Sequence, residues 1–250
     1  MKTTHTFTLC LIPGGPGLGV ASLGSCNVLR EHFDVVLLEP LAGPVSFLQV
    51  IEDLERQIES LGRSVVLVGH SFGALYSTVL LSRARVPIQA WVGMCMCTTA
   101  KGWGAFEARS LSLRTPERMT AQTAFFASPT EELFRDWLKT LAPIYFSSAN
   151  RELGHKLFDS IPVSAPAFLS VLHSMGLSVF FEGAEKLLEF KGTKLLIAGG
   201  DDWFFPAEEL VAEAAAVGAE LVTISGSHHF VTIDNEAAVT KALTTHFDSF

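Results

Sequence analysis

Val65-Val66-Leu67-Val68-Gly69-His70-Ser71-Phe72-Gly73 decides the fold. Four consecutive apolar residues read as a strand buried on both faces. They run into Gly-His-Ser-Phe-Gly, and a long apolar segment follows at once. The order is strand, sharp turn, helix, with a serine at the turn. Gly69 and Gly73 let the turn be tight, because a Cβ there would clash with strand and helix. The turn lifts the Ser71 hydroxyl out of the sheet at a helix N-terminus. Unpaired N–H groups and the helix dipole favour developing negative charge there. G-x-S-x-G alone occurs often by chance, but between a buried strand and a helix it is a specific signal.

On either side of this stretch, strands and helices alternate. Phe7–Ile12 reads as a first strand, ended by Pro13-Gly14-Gly15-Pro16-Gly17, a loop that cannot be helical and can approach other groups closely. A short helix is expected over Leu23–Glu31 and a buried strand over Phe33–Leu38. Ser46 caps a helix in which Phe47, Val50, Ile51, Leu54, Ile58 and Leu61 recur at helical spacing, and Gly62 ends it. The helix after Ser71 is apolar nearly all round and so buried, and Ile88–Cys97 is another strand.

Thr98 to about Phe190 contains no convincing strand. Helical stretches are expected near Ala105–Leu113, Pro129–Leu141, Arg151–Ser160, Ala165–Met175 and Ala184–Phe190. Trp103, Phe125, Phe126, Trp137, Tyr145, Phe146, Phe168, Phe180 and Phe181 crowd into this insertion, and they read either as the small core it needs of its own or as the lining of an apolar pocket. Alternation resumes with strand Lys194–Gly199, helix Pro206–Val217, strand Glu220–Ser225 and a helix around Asn235–Phe247. Pro206 fits a first helical position and Gly218 a helix stop. The expected class is α/β, with residues 1–97 and 191–250 as core and 98–190 as a helical cap.

With 250 residues and 48% hydrophobic content the chain can bury a sizeable core. The 18 basic and 26 acidic residues leave a formal charge of −8, and no basic cluster suggests a nucleic-acid partner. The four cysteines lack zinc-type spacing. Cys95 and Cys97 are expected to share one face of a strand and pack in the core. Reduced thiols and a cytoplasmic location follow by default. The apolar run after Lys2 is too short for a signal h-region, and no run is long enough to cross a membrane. Oligomeric state is left open.

A hydroxyl near its ordinary pKa needs a base to act as nucleophile. Leu195-Leu196-Ile197-Ala198 ends in Gly199-Gly200-Asp201-Asp202, and the last strand ends in Gly226-Ser227-His228-His229-Phe230. These sites and Ser71 all lie at carboxyl ends of expected parallel strands, which share one sheet edge. Asp201 or Asp202, and His228 or His229, are thus the candidates.

With the order Ser…Asp…His, the chain resembles the α/β-hydrolase superfamily over nearly its whole length. In that family the acid lies in a G-x-x-D turn with Pro four residues later. Gly199, Asp202 and Pro206 match, so the resemblance implies Asp202, with Asp201 capping or bracing the turn. The family histidine usually follows Gly and precedes an apolar residue. His229-Phe230 fits, with His228 where Gly is common. His70 is implied to brace the turn, and His5, His32, His155, His173 and His246 read as surface or packing residues. The implied oxyanion donors are the N–H groups of Phe72 and Gly15, with Gly14 as the neighbouring option. Pro13-Gly14-Gly15-Pro16-Gly17 is similar to the His-Gly-Gly-Pro-Gly loop of the proline iminopeptidase group, with Pro13 in place of His. The chain departs from the family in three places. The usual first hairpin is lacking, Phe72 stands where that peptidase group usually has Trp, and Glu39-Pro40-Leu41-Ala42-Gly43 replaces an Asp-x-x-Gly pattern.

The implied function is a serine hydrolase of the α/β-hydrolase fold, cleaving an ester or amide of a largely apolar small molecule through an acyl-enzyme. No cofactor or metal is needed. A proline iminopeptidase-type aminopeptidase is the first rival, with Glu182 its only candidate for an ammonium site. A non-catalytic ligand-binding protein of the same fold is the second. Scarce Lys and Arg beside the insertion's aromatics argue against an anionic substrate.

Overall fold

The computed structural model describes residues 6–176 and 178–247; His5 and the side chains of Phe180 and Phe181 lie outside the described residues. Strands β1 (Thr8–Ile12), β2 (Val35–Leu37), β3 (Val65–His70), β4 (Ile88–Met94), β5 (Thr193–Gly199) and β6 (Glu220–Ile224) form one sheet in the order β2-β1-β3-β4-β5-β6. Every pairing is parallel, with Leu67 of β3 opposite Cys10 on one side and Trp91 on the other.

Alternate side chains of each strand enter separate cores. Cys10, Ile12, Leu67, Trp91 and Leu196 pack on one face against α2 (Phe47–Glu59), α3 (Phe72–Leu80) and α10 (Ala207–Val217). Leu9, Leu11, Val68, Val92 and Ile197 pack on the other against α1 (Asn27–His32) and α12 (Glu236–Phe247). β3 is buried throughout because both faces are covered, which is why it reads as an apolar run rather than an alternating one. Helix α2 starts where expected: Ser46 Oγ accepts from Gln49 N–H at 3.3 Å, and the Gln49 side chain accepts from Ser46 N–H at 2.8 Å.

From β1 the chain steps out to β2 and then returns to β3 on the opposite side of β1. The loops leaving β1 and β3 therefore diverge at their carboxyl ends, and a crevice opens between them. The Gly14–Gly15 loop and Ser71 flank that crevice.

Among the described residues six helices separate β4 from β5: α4 (Ala100–Ser112), α5 (Pro116–Ala127), α6 (Glu131–Tyr145), α7 (Arg151–Ser160), α8 (Ala165–Ser174) and α9 (Ser178–Glu189). Phe125, Phe134, Leu138, Phe146 and Phe158 form a third core, completed by Leu18 and Phe230 from the sheet's loops. The insertion is thus fastened to the sheet edge that carries Ser71.

Several boundaries differ from expectation. The helix expected over Leu23–Glu31 is split into a 3-10 turn at Val20–Leu23 and α1, because Gly24 and Cys26 take positive φ of 80° and 51°. Helix α5 was not anticipated, although Thr115 caps it by accepting from Arg118 N–H and Pro116 begins it. Helix α6 passes through Pro143 to Tyr145 instead of stopping near Leu141; a proline in the last turn removes one helical hydrogen bond without ending the coil. Pro206 is the cap of α10 rather than its first residue, and a short α11 (Val231–Asp234) precedes α12. Cys95 and Cys97 enter different cores, because Cys95 has φ of 52° and breaks the strand alternation after Met94.

Candidate active site

Ser71 joins β3 to α3 with φ 50° and ψ −123°, a conformation that costs a non-glycine residue about 1–3 kcal/mol. Its neighbours hold it there. Ser71 N–H donates to Met94 C=O at 2.8 Å, and Ser71 C=O accepts from Ala74 N–H at 2.9 Å. A Cβ on Gly69 would lie 2.5 Å from Ala74 Cα, and one on Gly73 would lie 2.5 Å from the Pro13 carbonyl oxygen. Only glycine lets the strand, the helix and the β1 loop converge so closely. The β1 loop also reaches Ser71 itself: a Cβ on Gly14 would sit 3.1 Å from Ser71 Cβ. Phe72 is the first residue of α3, so its N–H has no intrahelical acceptor.

Asp202 follows β5 and is 3% exposed. Its Oδ1 accepts from the N–H groups of Phe204 at 2.8 Å and Phe205 at 3.3 Å. Its Oδ2 lies 3.0 Å from His229 Nδ1, and His229 Nε2 lies 3.0 Å from Ser71 Oγ. A carboxylate only accepts, so Nδ1 carries the proton and the free Nε2 accepts from the serine hydroxyl. Tyr145 stacks on the imidazole at 5.2 Å and Phe205 at 5.9 Å, which restricts ring rotation.

The structure therefore brings Ser71, His229 and Asp202 together. It does not bring Asp201 or His228 to Ser71. Asp201 is exposed and donates its N–H to Ser227 C=O. His228 donates its N–H to Asp234 Oδ2 at 2.8 Å, and its ring lies toward the same carboxylate. Asp234 was not singled out in the sequence. Its buried carboxylate also accepts from Ser147 Oγ at 2.8 Å and Asn150 Nδ2 at 3.0 Å, tying the histidine loop to the end of α6. Tyr145 was likewise missed as a neighbour of His229.

Cys95 lies close enough to Asp202 and His229 for the three to hold a metal ion. Burial pushes its thiol well above the ordinary range, and the other two are bonded to each other. The trio reads as packing around the acid.

His70 is buried behind His229. A carbonyl only accepts, so His70 Nε2–H donates to His229 C=O at 2.8 Å. Burial, and then the neighbouring His229, lower its pKa from 6.5 to about 3. Between those values the unfolded chain binds a proton that the folded chain refuses, so stability rises with pH and is lost as pH falls below 6.5. Urea midpoints measured from about pH 7 to about pH 5 are expected to fall less steeply in His70→Gln than in the wild type. Equal slopes would show that His70 is not the group responsible.

A cavity of about 390 Å³ opens above Ser71 and His229. Its wall is mainly apolar, including Trp103, Phe106, Trp137 and Phe168, so the insertion's aromatics serve pocket as well as core. Glu182 is not on this wall; it is exposed on α9 with Lys186 3.9 Å away. Among the described residues no Asp or Glu side chain lines the cavity. The expectation of few cations beside the aromatics fails locally, because Arg114 and Arg118 both line it. They were overlooked because they sit at the junction with the unanticipated α5.

A family model described as "Alpha/beta hydrolase family" matches residues 5–242. No curated protein matches the sequence. Among solved structures, a thermophilic esterase from Thermogutta terrifontis is similar with a TM-score of 0.75 and 17% identity, over 99% of this chain and 91% of that one. MenH from S. aureus gives 0.70 and 15%, over 99% and 96%. A bromoperoxidase from Bacillus anthracis gives 0.70 and 15%, over 98% and 93%. Proteins with such different names share one architecture, so this likeness speaks to fold alone. No helix among the described residues is long and apolar enough to cross a membrane.

Proposed function

The chain belongs to the alpha/beta hydrolase family, and from that premise we propose that it is a serine hydrolase cleaving carboxylic esters of small, largely apolar molecules. Ser71 Oγ attacks the ester carbonyl. His229 Nε2 takes the serine proton and delivers it to the departing alcohol, leaving an acyl-enzyme. Water then attacks that acyl group, again losing its proton to His229, and the acid leaves as Ser71 is restored. Asp202 keeps the proton on Nδ1 and stabilises the imidazolium as it forms. The N–H groups of Phe72 and Gly15 hold the oxyanion, the first at a helix N-terminus and the second on the loop beside Ser71. Residues 98–190 act as a cap over a core made of 1–97 and 191–250. Four free, buried cysteines suit a reducing, cytoplasmic setting.

The observation that carries this reading is the pair of 3.0 Å contacts linking Asp202, His229 and Ser71. An aminopeptidase needs a carboxylate for the substrate's ammonium group, and no acidic side chain lines the cavity among the described residues. A purely binding protein would not need the three groups in register. A screen of p-nitrophenyl esters against aminoacyl arylamides tests the proposal. Esters are expected to be cleaved faster, with blocking of a substrate amine mattering little and a fluorophosphonate labelling Ser71. Efficient release of N-terminal proline, lost on amine acylation, would overturn it.

A further inference from the structure

We propose that the cavity takes a substrate carrying a second, free carboxylate, received by Arg114 and Arg118; this rests on the serine-hydrolase reading and names its substrate class. Apart from the histidines and the Tyr145 phenol, these two arginines are the only ionisable residues on the cavity wall among the described residues, and the only cationic ones at neutral pH. Arg109 of α4 has its own carboxylate, paired with Glu209. Arg114 and Arg118 have none among the described residues. Arg118 Nε donates to Thr140 C=O at 3.0 Å and its Nη1 to Leu113 C=O at 2.9 Å. Those bonds hold the guanidinium in place and use two of its five N–H groups. Arg114 is exposed and has no hydrogen-bond partner among the described residues.

Ser110, Arg114, Arg118 and Gln122 all line the cavity, each four residues from the last. They add polar groups to a mainly apolar wall. Two guanidiniums, which only donate, with no acid beside them repel ammonium groups and orient an acceptor-only ligand. A carboxylate is such a ligand, and its two oxygens match the planar fork of arginine. The first turn of α5 gives Arg118 no benefit from the helix dipole, which favours anions there. An anion at this position gains from both the dipole and the guanidinium.

Binding separates this idea from the chemistry. Ser71→Ala protein is titrated with monomethyl esters of straight-chain dicarboxylic acids of increasing length, and with the dimethyl esters of the same acids. Fluorescence of Trp103 and Trp137, both on the cavity wall, reports binding. At the best length the monoacid is expected to bind about tenfold more tightly than its diester. Added salt should shrink that advantage, as should Arg114→Gln and Arg118→Gln in the same background. Arg118 also supports two carbonyls, so thermal midpoints accompany both variants, and Arg114→Gln carries the test if Arg118→Gln unfolds. Diesters binding as well at every length, or an advantage untouched by Arg114→Gln and any folded Arg118→Gln, would overturn the proposal. A monoacid advantage in protein that hydrolyses neither compound would leave carboxylate recognition standing and remove the hydrolase reading instead.

Discussion

Ser71→Ala is expected to abolish ester turnover, lowering kcat by about a thousandfold or more, while the protein stays folded. The reason for the first half is chemical. Without Oγ no acyl-enzyme forms, and the cavity with the proposed oxyanion donors can offer water only modest help. The reason for the second half is structural. The hydroxyl adds one hydrogen bond, to His229, and the backbone bonds from Met94 and Ala74 that hold the turn do not involve the side chain. Alanine meets the same strain as serine at φ 50°, so the substitution changes little there. Initial rates on a p-nitrophenyl ester and fluorophosphonate labelling check the first point, and a thermal midpoint checks the second. A folded variant keeping more than about a hundredth of the activity would mean that Ser71 is not the nucleophile.

The elbow was legible because its requirements are local. A buried strand, two glycines and a serine dictate one turn whatever surrounds them, and the structure shows what each glycine avoids. The parallel sheet was legible from the same kind of signal, because apolar runs separated by helical stretches can pair only through crossovers. The three sheet-edge segments could then be placed together before any distance was known. Choosing Asp202 over Asp201 needed the G-x-x-D spacing of the family. The turn itself explains the choice: Asp202 Oδ1 takes the N–H groups of Phe204 and Phe205, which points Oδ2 at the imidazole.

What was not legible depends on tertiary context. A helix was expected to stop near Leu141, yet α6 continues through Pro143 far enough to lay Tyr145 on His229. Asp234 belongs to no motif in the sequence, but its carboxylate becomes a buried hub for Ser147, Asn150 and His228. Arg114 and Arg118 lie between the helices expected near Ala105–Leu113 and Pro129–Leu141, in a stretch given no element, where side-chain direction cannot be inferred. Once α5 is known to start at Pro116, Arg118 and Gln122 fall on one helix face, while Arg114 reaches the same wall from the turn between α4 and α5. Local patterns fix turns and periodicity; which side chains meet across an insertion is decided by packing.

His229→Ala is expected to lower kcat by several orders of magnitude, and His228→Ala by far less. The two residues are adjacent, so a general disturbance of the loop would affect both alike. Their side chains face different partners. His229 sits between Asp202 and Ser71 at 3.0 Å from each. His228 lies toward Asp234, and its most direct tie, the 2.8 Å bond to that carboxylate, comes from the backbone N–H and survives truncation. Losing His229 removes the proton acceptor for Ser71 and leaves the Asp202 carboxylate, 3% exposed, without its imidazole partner. A buried carboxylate stripped of its partner destabilises a protein by about 3–5 kcal/mol when it stays ionised, so stability of His229→Ala must be measured beside its rate. His229→Gln is the companion variant, since its amide keeps a donor for Asp202 but cannot take a proton from serine. If His229→Gln is as stable as the wild type and as inactive as His229→Ala, proton transfer explains the loss. Equal losses in His228→Ala and His229→Ala would mean that loop geometry, rather than the imidazole of His229, sets the rate.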